Sequence, residues 1–262
     1  MNNQQPTILA LDFDGVICDG LIEYFATTKK TYQQIWHHNH IGDDLALSFY
    51  KLRPVIETGW EMPILLRALV LGITEAEILT DWSAIASKII ESESEQLNKK
   101  ELAQKLDQVR DSWINSDLDG WLKLHRFYPG VIDRLQQIIN SSVELYIVTT
   151  KEGRFVKRLL QERGIDLPVA KIIGKESKRP KYETLRIIRD NTNTAGANLS
   201  IYFVEDRLPA LQQVAQQSDL QFVKLFLADW GYNIERDRNF AKNSQQIQLL
   251  SLEQFRQDFT AW

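Results

Sequence analysis

From Phe127 onward, short apolar runs alternate with amphipathic stretches, and this alternation constrains the fold more than any other feature of the chain. Residues 143–148 form an apolar run broken only by Glu144, and 169–173, 199–204 and 222–227 are further strand-like runs. Helix-like spacing of apolar residues covers 131–140, 154–163, 182–189 and 209–217. Tyr128-Pro129-Gly130 is a turn leading into the first of these helices, and Gly164 fits a C-cap glycine after the second. Runs apolar almost throughout suit strands buried on both faces, and strands separated by helices imply a parallel sheet covered on both sides. Residues 7–12 supply one more such strand near the N-terminus. In sheets of this kind, chemistry gathers at the carboxyl ends of the strands.

Between the first strand and Phe127 the sequence changes character. Apolar residues fall at helical spacings over 33–36, 46–51, 62–71 and 74–90, with Thr74 as a cap and Glu75 and Glu77 in the first turn. Residues 93–113 read as an amphipathic helix with Leu102, Leu106, Val109 and Trp113 on one side. No internal repeat or low-complexity linker interrupts the chain. A length of 262 residues suits one core domain with a sizeable insertion, or two domains. The expected fold class is α/β, a Rossmann-like parallel-sheet core of residues 1–18 and 126–262. A helical domain, residues 19–125, is inserted after the first strand.

Thirty-one basic residues against 35 acidic ones give a net charge of −4, so no electrostatic case exists for nucleic acid or an anionic membrane as partner. The single cysteine, Cys18, excludes an intramolecular disulfide and any multi-cysteine zinc site. Residues 1–6 lack the basic and apolar regions of a signal peptide, and the apolar stretch at 64–71 is interrupted by Arg67. A soluble protein of a reducing, cytoplasmic compartment is expected.

Four strand ends carry groups suited to one reaction centre. The first strand runs into Asp12-Phe13-Asp14-Gly15-Val16. Were the extended geometry to persist, both carboxylates would face one way and repel. A divalent cation is the simplest remedy, and Gly15 lets the chain turn away; the alternative is an ordinary Asp-rich turn. The second strand ends in Val148-Thr149-Thr150-Lys151, where a hydroxyl suits a phosphate oxygen or plain turn chemistry. Residues 175–181 hold Lys175, Lys178, Arg179 and Lys181 ahead of a helix. One lysine reaching inward would set positive charge against Asp12, while the others form a solvated loop. The fourth strand ends in Glu205-Asp206, an acidic pair able to complete an oxygen shell for Mg²⁺. A surface-loop reading suits any one segment and suits all four poorly.

These four segments resemble, in order, the four motifs of the haloacid dehalogenase-like (HAD) hydrolase superfamily. The resemblance covers roughly residues 7–18 and 127–232, and Lys181, beside the helix start, is preferred over Lys178 as the third-motif lysine. It implies a Mg²⁺-dependent phosphatase of a small phosphorylated metabolite. Asp12 would be the nucleophile that becomes a phosphoaspartate, and Asp14 the acid and base. Asp12, the Asp14 backbone carbonyl, Glu205 and Asp206 would hold the metal, while Thr149 and the lysine, with Thr150 beside them, would hold the phosphoryl oxygens. Asp14 argues against dehalogenation, because dehalogenases of the superfamily lack the second aspartate. A β-phosphoglucomutase-like mutase and a binding or regulatory protein with little turnover are the alternative functions.

By the same resemblance the helical insertion corresponds to a C1 cap. Its segment from Arg53 to Glu61 is similar to that of an uncharacterised cyanobacterial and plastid branch. Arg53, Glu57 and Glu61 are candidates there for substrate contact, against the alternative of a solvated helix or an internal salt bridge. The cluster His37-His38-Asn39-His40 is read as surface or cap-interface rather than as a metal site, because adjacent histidines on a helix diverge. Cys18 is read as a packing residue. Trp230-Gly231-Tyr232 either braces the site or forms a simple turn with core aromatics.

Overall fold

The computed structural model describes residues 5–37, 41–92, 98–192 and 199–262. In chain order, β1 (Ile8–Leu11) and β2 (Cys18–Asp19) precede helices α1 (Leu21–Trp36), α2 (Ala46–Leu52), α3 (Glu61–Val70), α4 (Glu75–Ser92), α5 (Lys99–Ser116) and α6 (Leu118–Leu122). Then come β3 (Arg126–Phe127), α7 (Val131–Ile139), β4 (Glu144–Val148), α8 (Gly153–Gln161), β5 (Ile172–Ile173) and α9 (Lys181–Asn191). The remainder is β6 (Ile201–Glu205), α10 (Leu208–Ala215), β7 (Lys224–Ala228), α11 (Glu235–Asn243), β8 (Ile247–Leu250) and α12 (Leu252–Arg256). The chain divides into two compact units, Met1–Asp19 with Arg126–Trp262, and Gly20–His125.

In the first unit the described residues form a six-stranded sheet in the order β5-β4-β1-β6-β7-β8, parallel throughout. All four residues of β1 are fully buried, as a central strand covered on both faces requires. Leu11 is level with Ile147 of β4 on one side and with Val204 of β6 on the other. Consequently the residues that follow β1, β4 and β6 emerge at one edge. The strand order reverses about β1, and the crevice at such a switch point is where open α/β sheets bind ligands. Ile8, Ala10, Phe203, Leu225 and Leu227 pack with Leu185 of α9 and Leu211 and Val214 of α10 into one apolar cluster.

The structure departs from the sequence reading in places. Residues 169–171 form a 3-10 turn, leaving only Ile172–Ile173 as strand. The strand β8 was not apparent in the sequence: its alternation is short, with Gln248 exposed at the sheet edge. Residues 18–19 and 126–127 pair as a short antiparallel ribbon at the two ends of the helical insertion.

In the helical unit, α4 begins on a reciprocal cap in which the Thr74 N–H and hydroxyl donate to Glu77 while the Glu77 N–H donates back to the Thr74 hydroxyl. It is not one continuous helix: Asp81 leaves helical geometry (φ −146°, ψ 62°), and its carboxylate accepts the Ala84 N–H. In α5, Leu102, Leu106 and Val109 are buried, whereas Trp113 is half-buried beneath the Lys30 ammonium, 4.5 Å from its ring centre. The part of this helix expected over 93–97 lies outside the described residues. Glu23 is fully buried in α1 and accepts from Thr27 Oγ1 (2.6 Å), Arg110 Nε (2.9 Å) and Trp121 Nε1 (3.0 Å). His37 is exposed at the end of α1 with left-handed backbone (φ 50°), and His38, Asn39 and His40 lie outside the described residues. Among the described residues no helix is long and apolar enough to cross a membrane.

Candidate active site

Asp12 is the first residue past β1, and its N–H is fixed to the Val204 carbonyl of the neighbouring strand (2.9 Å). Lys181, at the start of α9, brings its ammonium to 2.9 Å from Asp12 Oδ1 and 2.5 Å from Glu205 Oε2. Glu205 ends β6, and its other oxygen accepts the Arg207 N–H at 3.0 Å. Asp206 follows, fully buried, with Oδ2 accepting the Tyr232 N–H at 2.6 Å. One carboxylate oxygen from each of Asp12, Glu205 and Asp206 lies within 4.8 Å of the others.

The electrostatics of this cluster are unbalanced. Burial and the charge of Glu205 push Asp12 up to about 7, against the pull of Lys181. Burial likewise raises Glu205 to about 7, Lys181 opposing and Asp206 reinforcing the shift. Asp206 rises to about 6, through burial and the neighbouring Asp12. Burial alone would lower the Lys181 ammonium, but Asp12 and Glu205 hold it above its usual range. One lysine thus faces two of the three buried carboxylates, while the charge of Arg207 offsets part of the rise in Asp206. Asp206 Oδ1 is buried without a hydrogen-bond donor among the described residues, whereas Asp12 Oδ1 meets the Lys181 ammonium. Oxygen donors, excess negative charge and unsatisfied lone pairs fit a hard divalent cation. Glu205 fits it less directly, since Lys181 and Arg207 engage both of its oxygens.

Asp14 does not share this cluster. Extended geometry stops at Leu11; the Ile17 and Cys18 N–H groups fold back onto the Phe13 carbonyl, each at 2.9 Å, and Gly15 takes a φ of +91°. The Asp14 carboxylate meets a different lysine, Lys151, whose Nζ lies 3.2 and 3.1 Å from its two oxygens. The expected repulsion between Asp12 and Asp14 is therefore relieved by a separate ammonium for each. The sequence reading missed Lys151; its place three residues past the end of β4, opposite the Asp12–Asp14 turn, was the available signal.

Thr149 is buried after β4, its N–H bonded to the Ile173 carbonyl (3.0 Å) and its hydroxyl accepting the Lys151 N–H (3.2 Å). Thr150 is exposed. With Lys175, Ser177, Lys178, Lys181 and others, the two threonines line a cavity of about 220 Å³. Lys178 is exposed on this wall in left-handed backbone (φ 52°), and Lys181 alone of the two reaches Asp12.

The loop after β7 braces the acidic cluster. Trp230 Nε1 donates to the Val16 carbonyl at 3.1 Å, and the Tyr232 hydroxyl donates to Asp19 Oδ1 at 3.1 Å. Asn233 Nδ2 donates to the carbonyls of Asp206 (3.1 Å) and Ala228 (2.7 Å). Two glycines give Asp206 its room: a β-carbon on Gly15 would stand 2.1 Å from Asp206 Oδ2, and one on Gly231 would meet the Asp206 side chain and the Gly15 carbonyl. Cys18 is buried, and burial lifts its thiol far above the usual range, as suits a packing residue rather than a nucleophile.

In the helical unit, Arg53 stacks on the Tyr24 ring (4.9 Å) and donates to the Ile56 carbonyl at 3.0 Å. Glu57 is exposed, and its N–H donates to Glu61 Oε2 at 2.7 Å. Glu61 itself is buried. It also accepts the Thr58 N–H (2.6 Å) and hydroxyl (3.2 Å) and Trp82 Nε1 (2.9 Å), so its carboxylate ties the turn before α3 to α4.

The sequence profile of haloacid dehalogenase-like hydrolases matches residues 73–224, more than half of the 262-residue chain. The chain is a haloacid dehalogenase-like hydrolase. The matched span includes Thr149, Lys181, Glu205 and Asp206, while Asp12 and Asp14 precede it. Solved structures share the fold of this hydrolase at low identity. A candidate phosphoglycolate phosphatase from Lactobacillus delbrueckii subsp. bulgaricus is 14% identical, with 97% of this chain and 98% of that one aligned at a TM-score of 0.61. A haloacid dehalogenase-like family hydrolase from Streptococcus pneumoniae is 15% identical over 96% and 95% of the two chains, at a TM-score of 0.57. A candidate phosphatase from Clostridium acetobutylicum is 12% identical over 97% of each, at 0.58. No curated protein matches this hydrolase significantly.

Proposed function

We propose that this hydrolase is a Mg²⁺-dependent phosphatase that cleaves a small phosphorylated metabolite through a phosphoaspartate on Asp12. The observation that supports this reading best is the buried cluster of Asp12, Glu205 and Asp206 with one lysine, Lys181, set against Asp12 and Glu205 at the edge of the sheet. Asp12, Asp206 and the Asp14 backbone carbonyl would hold Mg²⁺, with Glu205 keeping Lys181 in place. When bound, the ion supplies positive charge to the transferring phosphoryl group.

An Asp12 carboxylate oxygen attacks phosphorus, and the ester oxygen leaves as an alcohol with a proton from Asp14. Asp14 then takes a proton from water, whose oxygen attacks the acyl phosphate, releasing inorganic phosphate and restoring Asp12. Dividing the displacement in this way replaces one hard step by two easier ones. Thr149 and Lys181 hold the non-bridging oxygens, and Thr150 and Lys178 line the approach. In this reading the helical unit is a cap that selects the substrate, with Arg53 and Glu57 as its contacts. Glu61, already saturated with donors, is assigned an internal role.

A panel of phosphoglycolate, sugar phosphates and nucleotides, assayed for phosphate release with Mg²⁺ and with EDTA, tests the proposal. Release from at least one ester is expected with Mg²⁺ only, and Asp12→Asn should abolish it while leaving the thermal unfolding midpoint near that of the parent. Full activity in that variant would sink the mechanism.

A further inference from the structure

We propose that Lys151 is a positioning residue for Asp14, holding its carboxylate on the line of proton transfer to the leaving oxygen. The inference rests on the phosphatase reading and extends it to a residue outside the metal cluster. Lys151 Nζ spans both Asp14 oxygens at 3.1 and 3.2 Å, with the two side chains only 8% and 14% exposed. So screened from water, such a contact fixes direction far better than a surface pair does.

The stem of Lys151 is anchored independently of Asp14. Its N–H donates to the Thr149 hydroxyl (3.2 Å), and its carbonyl accepts the Lys175 N–H (3.0 Å) from the loop after β5. Two residues on, the Gly153 N–H that opens α8 donates to Glu176 Oε2 at 3.1 Å, tying the same two loops together again. Register does the rest. Leu11 and Ile147 are level on adjacent strands, so the turn three residues past Leu11 faces the loop four residues past Ile147. Asp14, by contrast, sits on a turn closed by a single bridge to Cys18, which fixes its backbone and leaves its side chain to other contacts. A general acid must point at its proton acceptor to contribute its typical factor of about 10²–10⁴; with the transferable proton on one Asp14 oxygen, Lys151 keeps its bond to the other and supplies that orientation.

Leaving-group dependence separates this role from others. A lysine that orients the acid matters most for esters whose alcohol leaves poorly without a proton, and least for p-nitrophenyl phosphate. A lysine that bound the phosphoryl group would matter equally for both. The experiment measures kcat/KM, which reports the first phosphoryl transfer, with p-nitrophenyl phosphate, phenyl phosphate and the best alkyl phosphate of the panel. It compares wild type with Asp14→Asn, Lys151→Met, Lys151→Gln and Lys151→Arg.

Both neutral variants should lose at least about tenfold more on the alkyl ester than on p-nitrophenyl phosphate, in the same pattern as Asp14→Asn. Lys151→Arg should recover most of the difference. A loss uniform across leaving groups, or no loss, overturns the positioning role while leaving the phosphatase reading intact. Should wild type release no phosphate from any ester, or Asp12→Asn remain active, that reading falls and this inference falls with it.

Discussion

Gly231 packs so tightly against Asp206 that a β-carbon at position 231 would stand 2.2 Å from the Asp206 Cβ. Alanine there must push Asp206 away from Asp12 or push the loop away from Asp206, breaking the Tyr232 N–H contact. Gly231→Ala is expected to weaken Mg²⁺ binding by about 10–100-fold, the range found when the support of a metal ligand is disturbed. Calorimetric titration checks this directly, and unchanged affinity would show that Asp206 is not held by this loop.

The pH dependence of stability follows from the three raised acids. Free carboxyl groups of an unfolded chain titrate near about 4, whereas Asp12, Glu205 and Asp206 sit at about 7, about 7 and about 6 in the folded chain. The folded metal-free chain therefore binds more protons than the unfolded one across this window. The contribution of these groups to stability falls as pH rises from about 4 to 7. A divalent cation at the proposed site would bind the deprotonated cluster and reverse the loss. The rise in thermal unfolding midpoint on replacing EDTA by Mg²⁺ should be larger at pH 8 than at pH 5. Equal rises would contradict a metal site at these acids.

Glu61→Ala would strand four donors in the helical unit: two backbone N–H groups, the Thr58 hydroxyl and the Trp82 indole. A cost of about 2–4 kcal/mol is expected from losing these bonds to a buried carboxylate, measurable by urea denaturation. A substrate-contacting role would instead alter KM with little change in stability.

Arg110→Met removes the cationic partner of the fully buried Glu23. Breaking such a pair from one side costs about 3–5 kcal/mol. Adding Glu23→Gln to that variant should recover part of the loss, because the carboxylate charge left behind is then removed. Denaturation midpoints of the single and double variants form the test, and a loss below about 1 kcal/mol for Arg110→Met would show that the pair contributes little.

What could be read from the sequence was set by periodicity and by strand ends. The buried runs leading to Asp12, Val148 and Glu205 announced central strands, because a strand covered on both faces leaves little room for polar residues. The strand at 247–250 and the break at Asp81 gave no such signal: one is a half-exposed edge, the other a single residue leaving helical geometry. The pairing of Asp12 with Lys181 followed from motif order. That of Asp14 with Lys151 did not, since it depends on where β1 stops and on how two loops meet. For Glu61 the sequence left substrate contact and an internal bond both open, because a carboxylate that binds its own backbone is written in the sequence just as one that binds a ligand is.

The register of β1 has a consequence for how the protein is made. Its partner on one side begins near Ser200, whose carbonyl accepts the Thr7 hydroxyl across 193 residues of chain. Asp206 can join Asp12 only after the helical unit and most of the α/β unit have been translated. Contacts so distant in sequence form slowly. The strand β1 is thus made long before it can be enclosed, and a nascent chain halted short of β6 holds Asp12 without Glu205 and Asp206.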